Sequence, residues 1–112
     1  FLFHFQEKYA IRKRDEGHLL SSLWEFPNVE GKMNLNAVKK WLKAQKISYF
    51  SVIEGITNKH VFTHQIWYMK AYYVELNRII DSLCWATLGE IEGIYAIPSA
   101  FKPFLDDIKN KG

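Results

Sequence analysis

The apolar and polar positions alternate first with the period of a strand. Phe1, Phe3 and Phe5 occupy one face of a first alternating run, and a second run from Tyr9 to Lys13 predicts a partner strand, so that the chain opens with a hairpin. The segment Trp24-Glu25-Phe26-Pro27 predicts a short strand that ends at the proline, because proline cannot donate a hydrogen bond to a neighbouring strand.

The pattern then changes to the period of a helix. Leu35, Val38 and Leu42 fall on one helical face, and Asn34 or Asn36 can cap the start of this helix. Its remaining surface is rich in lysine, at positions Lys39, Lys40, Lys43 and Lys46. A solvated outer face and a contact with a polyanion both fit these lysines.

The second half of the chain repeats the strand and helix patterns. We expect a strand over Tyr49–Ile53, a turn over Glu54–Asn58 and a long strand over Gln65–Leu76. The long strand is apolar on both faces, which is typical of a sheet covered on two sides. Ser99 is expected to cap a final helix, whose apolar face consists of Phe101, Phe104, Leu105 and Ile108. This order predicts one α+β domain over residues 1–112, a mixed β-sheet covered by α-helices.

Composition and charge limit the partners and the cellular compartment that fit this chain. The chain has 112 residues, a net charge of +3 and an isoelectric point near 9.0, which suits contact with a polyanion without proving it. Its single cysteine, Cys84, excludes a disulfide or a cysteine-rich metal site within the chain and fits a reducing cytoplasm. No apolar run approaches the roughly 18 residues of a membrane span, so no membrane partner is expected. The chain begins within a strand pattern and without Met, so we expect it to be a piece of a longer protein.

One stretch, Lys59–Trp67, is not explained by packing alone. It places His60, Thr63 and His64 within five residues of one another, beside Phe62. The two histidines have the spacing of metal ligands on a helix, but the residues between them favour a strand, where side chains four apart are well separated. No third ligand is apparent, and no nucleophile with a nearby base is found. The sequence therefore predicts a binding site without a metal or a catalytic set.

The segment Leu23–Pro27, followed by a loop and an amphipathic helix, resembles the approach to the Nudix box, the Mg²⁺-binding segment of nucleoside-diphosphate hydrolases. In those enzymes the helix carries Arg-Glu-x-x-Glu-Glu, and its carboxylates hold the metal. Here the corresponding positions are Lys40-Trp41 and Ala44-Gln45. The resemblance therefore implies a Nudix-like fold without the metal site, and we expect no enzyme activity in this chain itself.

Three segments together resemble the C-terminal domain of A/G-specific adenine DNA glycosylases, the MutY family. They are Leu19–Pro27, then His60–His64 with Trp67 and Met69 following, and then Tyr95–Lys102. They occur in the family's order across nearly the whole chain. Each segment is only moderately specific, but their ordered combination is a strong resemblance.

That resemblance implies a role in base excision repair. In the MutY family an N-terminal domain, with a catalytic Asp and Glu and a [4Fe-4S] cluster, removes adenine mispaired with 8-oxoguanine, and the C-terminal domain recognises the 8-oxoguanine. The family's recognition loop is Phe-Ser-His, which matches Phe62, Thr63 and His64. The expected partners are duplex DNA containing 8-oxoguanine:adenine and the N-terminal domain of the same protein. That domain would carry the [4Fe-4S] cluster, and the expected location is the bacterial cytoplasm. No cofactor is expected in this chain.

The chemistry of this interpretation is simple. In 8-oxoguanine N7 carries a proton and C8 carries an oxygen, so recognition requires an acceptor near N7 and a donor near O8. The hydroxyl of Thr63 can serve in either way, Phe62 can stack beside a base, and His64 or His60 can contact a phosphate. Two alternatives are open. One is a standalone Nudix hydrolase that uses Glu25, Glu30 and Glu54 in an atypical metal site, and the other is a protein-interaction domain on the same scaffold.

Overall fold

The computed structural model describes residues 1–14 and 23–111 of the chain. The described residues form six strands: β1 (Leu2–Phe5), β2 (Lys8–Lys13), β3 (Trp24–Glu25), β4 (Tyr49–Val61), β5 (Ile66–Leu76) and β6 (Cys84–Ala86). They also form three α-helices, α1 (Leu35–Ala44), α2 (Leu88–Gly93) and α3 (Lys102–Lys111), with a 3₁₀ turn over Ser99–Phe101 before the last. Residues 19–22, the start of the first of the three motif segments, lie outside the described residues.

The strands form a mixed sheet, as expected. The order is β3-β2-β1-β5-β4, and β6 pairs with β2 beside this path. β1 and β5 are parallel, while the other pairs are antiparallel. The hairpin predicted at the start of the chain is β1 and β2. β4 lies at the end of the strand order, so the long β4–β5 hairpin forms one side of the domain.

Helices cover both faces of the sheet, which confirms the predicted α+β architecture. On one face, Val38 and Leu42 of α1 are fully buried against apolar side chains of the strands, namely Phe3, Ala10, Tyr72, Val74 and Leu76. On the other face, α2 and α3 contribute Ile91, Phe104, Leu105 and Ile108, which pack against Leu2, Ile11, Phe26, Ala71 and Ala86. Asn34 caps α1, because its Oδ1 accepts the Ala37 N–H at 2.8 Å.

The turn predicted over Glu54–Asn58 is wrong, because β4 continues through it. The pairing with β5 shifts between Glu54 and Thr57, which is the signature of a bulge or irregularity. Gly55 lies at this point beneath the ring of Tyr73, where a Cβ atom would be 2.4 Å from Tyr73 Cε2. The glycine therefore permits a close approach within the sheet rather than a turn of the chain.

Two further expectations need correction. Only the second half of β5, from Ala71, is covered on both faces, and Tyr68 in the first half is 76% exposed. Ser99 does not cap the last helix: the cap position of the 3₁₀ turn is Pro98 and has no side-chain cap bond, and α3 then starts with Pro103 in its first turn. Among the described residues, no helix is both long and apolar enough to cross a membrane.

Candidate functional site

The tip of the β4–β5 hairpin is made by two exposed residues. The Phe62 N–H donates to the Gln65 carbonyl at 2.8 Å, and this bond leaves only Thr63 and His64 beyond the paired strands. Both side chains are exposed. Within residues 1–14 and 23–111, neither the Thr63 hydroxyl nor the His64 ring makes a hydrogen bond. The tip therefore presents these two polar side chains to solvent.

A row of aromatic rings supports this tip on one face of the hairpin. Phe62 lies between His60 and Trp67, with ring centroids 4.6 and 4.7 Å apart and both pairs near a T-shaped geometry. Trp67 in turn lies 6.0 Å from Phe101 of the 3₁₀ turn. Pairs of this kind stabilise by about 0.5–1.5 kcal/mol beyond the burial of their area. The row therefore fixes the tip on the core.

The described parts of the three motif segments meet at this face of the sheet. The Trp24 N–H donates to the Ala96 carbonyl at 2.9 Å, and the rings of Trp24 and Tyr95 pack at 4.8 Å. Asn58 Nδ2 of β4 donates to the Ala100 carbonyl at 3.3 Å. The segment that ends at Pro27 therefore contacts the segment Tyr95–Lys102. The latter in turn contacts the β4–β5 hairpin, which carries His60–His64.

A buried carboxylate lies beside this assembly. Glu25 is 4% exposed, and its Oε1 and Oε2 accept bonds from Arg14 Nη1 at 2.5 Å and Arg12 Nε at 2.8 Å. The guanidinium of Arg14 also lies 4.9 Å from the centre of the Trp67 ring. Sequence reasoning missed this network, although the alternation of Arg12 and Arg14 at the basic end of β2 was its signal.

The four predicted site residues are brought together, but they differ in exposure. His60 and Phe62 are half-buried in the aromatic row, whereas Thr63 and His64 are exposed at the tip. Phe62 therefore has a packing role as well as an exposed part. The Thr63 hydroxyl can donate or accept, and the His64 ring can do both according to its protonation.

The residues present do not fit a magnesium site at the position that the Nudix resemblance indicates. α1 contains no acidic side chain, and Mg²⁺ requires hard oxygen ligands. The three glutamates of the alternative hypothesis are not assembled: Glu25 is held by two arginines, Glu54 lies 3.5 Å from the Lys70 ammonium, and Glu30 is an exposed loop residue. Among the described residues, no group of three or more His, Cys, Asp or Glu side chains is placed to hold a metal.

Cys84 and Tyr95 form a polar contact behind the site. The Cys84 thiol lies 3.5 Å from the Tyr95 hydroxyl, in hydrogen-bonding geometry. This contact raises the pKa of Tyr95 above its usual value of 10.0. Cys84 is half-buried with a partner, in agreement with a structural role rather than a nucleophilic one.

The sequence model of the NUDIX domain family matches residues 1–107. The chain belongs to the NUDIX domain family. No curated protein sequence matches this NUDIX domain. Among solved structures, it is similar to the solution structure of the DNA mismatch repair protein MutT, described as a Nudix hydrolase, from methicillin-resistant Staphylococcus aureus 252. The TM-score is 0.64 and the identity is 23%, over 98% of this chain and 92% of the other. The expected Nudix-like fold is therefore confirmed.

These comparisons contradict one expectation. The loss of the acidic residues from α1 led to the prediction that this chain is not an enzyme. The match to the NUDIX domain family contradicts that prediction, which is therefore wrong. The reasoning failed because it inferred the absence of activity from one helix, and a family's chemistry need not depend on one element.

Proposed function

We propose that this NUDIX domain recognises 8-oxoguanine opposite adenine in duplex DNA, as part of an adenine DNA glycosylase. The observation that carries the proposal is the hairpin tip, which exposes Thr63 and His64 without partners among the described residues and is held rigidly behind by aromatic packing. Rigid support matters because a binding constellation loses selectivity when its geometry is loose.

The tip supplies the groups that distinguish 8-oxoguanine from guanine. Guanine has only an acceptor at N7, whereas the oxidised base has a donor at N7 and an acceptor at C8. The Thr63 hydroxyl is able to accept from N7–H or to donate to O8, and the backbone of the tip offers further donors. His64 beside it is suited to a neighbouring phosphate. His60 and Phe62 position the tip, and the exposed part of the Phe62 ring is available to the base.

The proposal also implies a second domain in the longer protein. The resemblance to the MutY family carries with it an N-terminal catalytic domain with a [4Fe-4S] cluster, and this chain has one cysteine rather than the four needed for such a cluster. The cluster, the excision of adenine and contact between the two domains are therefore expectations for the longer protein.

The test is the preference of the 112-residue chain for 8-oxoguanine:adenine over guanine:adenine in otherwise identical duplexes. Thr63→Ala should reduce the ratio of the two affinities, because a single hydrogen bond contributes about 0.5–1.5 kcal/mol. Thr63→Ser keeps the hydroxyl and should keep the ratio. A ratio that is unchanged in Thr63→Ala would count against the proposal.

A second function, hydrolysis of a nucleoside-diphosphate compound, is favoured by the family and by the structural similarity. Its catalytic residues are not assigned, since the acidic candidates in the described residues are dispersed. The test is release of phosphate or pyrophosphate from nucleoside triphosphates by the purified chain with Mg²⁺. Release that depends on Mg²⁺ supports this function, and its absence over a panel of oxidised and unmodified nucleotides removes the support.

A further inference from the structure

A groove between α1 and the start of β4 has an unusual charge. It has a volume of about 440 Å³, and its lining is Lys39, Lys40, Lys43, Ile47, Ser48 and Tyr49. The three lysines are exposed, and α1 contains no acidic residue that would balance them. Three positive charges therefore surround one concave surface.

The three lysines form no ion pair with the part of the chain that the structure describes. Among the described residues, no carboxylate lies within 4.0 Å of Lys39, Lys40 or Lys43, whereas Lys70 and Lys109 are each paired with a glutamate. Charges of the same sign at a spacing of three or four residues on a helix repel one another. A bound anion would offset this repulsion.

The opposite wall of the groove contributes a neutral donor. Asn77 Nδ2 donates to Ser48 Oγ at 2.9 Å, and the Asn77 N–H donates to the Ser48 carbonyl at 3.1 Å. The Ser48 hydroxyl makes no other hydrogen bond among the described residues, so its proton can be donated to a ligand.

We propose that this groove binds the phosphate backbone of a nucleic acid. Several cations around an open groove suit a chain of phosphates, because each phosphate contact releases condensed counterions. The groove is separate from the hairpin tip, because Tyr49 and Val61 are the two ends of β4. Twelve steps at about 3.3 Å per residue give an upper limit of roughly 40 Å for their separation. The inference goes beyond the recognition of a lesion, because it requires only a nucleic-acid backbone.

The test is the salt dependence of DNA binding by the 112-residue chain. The variant combining Lys39→Gln, Lys40→Gln and Lys43→Gln should lose affinity for duplex DNA, on the order of 10- to 100-fold at low salt, and the slope of log K against log salt concentration should become shallower by roughly 2–3. Glutamine is chosen because its helix propensity is close to that of lysine.

A control with the same net charge separates a local contact from a general loss of charge. Lys8→Gln, Lys13→Gln and Lys102→Gln remove three exposed lysines from β2 and the start of α3. This control should leave most of the slope in place. Equal losses in the two triple variants, or no loss in the first, would overturn the assignment of the groove.

Two comparisons of ligands test the groove separately from the proposed function: one between the two duplexes, and one between duplex DNA and a nucleoside triphosphate. The groove variant should weaken binding to 8-oxoguanine:adenine and guanine:adenine duplexes by the same factor, whereas Thr63→Ala should change their ratio. If Thr63→Ala fails to change the ratio while the groove variant lowers both affinities, only the lesion proposal fails. A nucleoside triphosphate that binds the groove more tightly than duplex DNA would overturn the assignment to a nucleic-acid backbone.

Discussion

Replacement of Gly55 by alanine tests the packing of the hairpin that carries the site. The Cβ atom of alanine would lie 2.4 Å from Tyr73 Cε2 and 3.1 Å from both Tyr73 Cδ2 and the Ala71 Cβ. Carbon atoms without a bond between them are normally about 3.5–4.0 Å apart. The ring of Tyr73 must therefore move by about an ångström for the substitution to be accommodated.

The structure resists this movement. The ammonium of Lys111 lies 4.7 Å from the centre of the Tyr73 ring, and the Tyr73 hydroxyl is buried. An overpacked core position costs about 1–3 kcal/mol, and the gain from restricting the unfolded chain offsets about 0.4–1 kcal/mol of this. We expect a net loss of about 1–2 kcal/mol, or a fall in Tm of roughly 4–10 °C for a domain of this size.

Urea denaturation followed by circular dichroism would measure the loss. Gly89→Ala is the matched control, since its Cβ would meet only Thr87 Oγ1, at 4.0 Å, and it should cause no loss. In a Tyr73→Ala background, Gly55→Ala should become neutral or slightly stabilising. A Gly55→Ala variant as stable as the wild type, or one equally destabilised in both backgrounds, would refute the packing described here.

Three other predictions concern the support of the site and the capping of α2. Glu25→Gln should lower the free energy of unfolding by about 2–4 kcal/mol, because it leaves two arginines facing a neutral group at a buried position; a loss in urea denaturation no larger than that of an exposed glutamate would contradict this. Phe62→Ala should lower it by about 2 kcal/mol, since it removes two ring contacts, and should shift the summed emission of the four tryptophans to the red through Trp67; an unchanged spectrum would argue against the aromatic row. Hydrogen bonds from Thr87 lower the pKa of Glu90 below its usual 4.5, so this stabilisation is present above that pH and is lost as the pH falls through the lowered pKa; an NMR titration that finds the Glu90 pKa at or above 4.5, or unchanged by Thr87→Ala, would contradict it.

The spacing of apolar residues predicted the strands and helices that have one clear apolar face. The β1–β2 hairpin and α1 both have one clear apolar face, and the structure contains both. The prediction of a turn around Gly55 was wrong for a physical reason. Glycine is common in turns, but here it leaves room for the ring of Tyr73 from the neighbouring strand. That contact cannot be predicted from the spacing of residues along one strand. Tyr68 was assigned to a covered sheet for a similar reason, since the reach of the helices is not visible in the pattern of β5.

The candidate site was likewise predicted only in part from the sequence. The unusual concentration of polar side chains at His60, Thr63 and His64 marked the hairpin tip in the sequence. The tip is held by contacts between residues far apart in the sequence: Asn58 donates to the Ala100 carbonyl, 42 residues away, and Phe101 packs against Trp67. Such contacts depend on the tertiary fold, so sequence reasoning located the tip without its support.

The central claim is that the tip of the β4–β5 hairpin contacts an oxidised guanine. The most direct measurement is an NMR titration of the ¹⁵N-labelled chain with two duplexes that differ only in 8-oxoguanine or guanine opposite adenine. We expect the amides of residues 62–65 to shift with the 8-oxoguanine duplex and to shift much less with the other. Equal shifts of these amides with both duplexes, or shifts confined to the lysine groove, would contradict the claim.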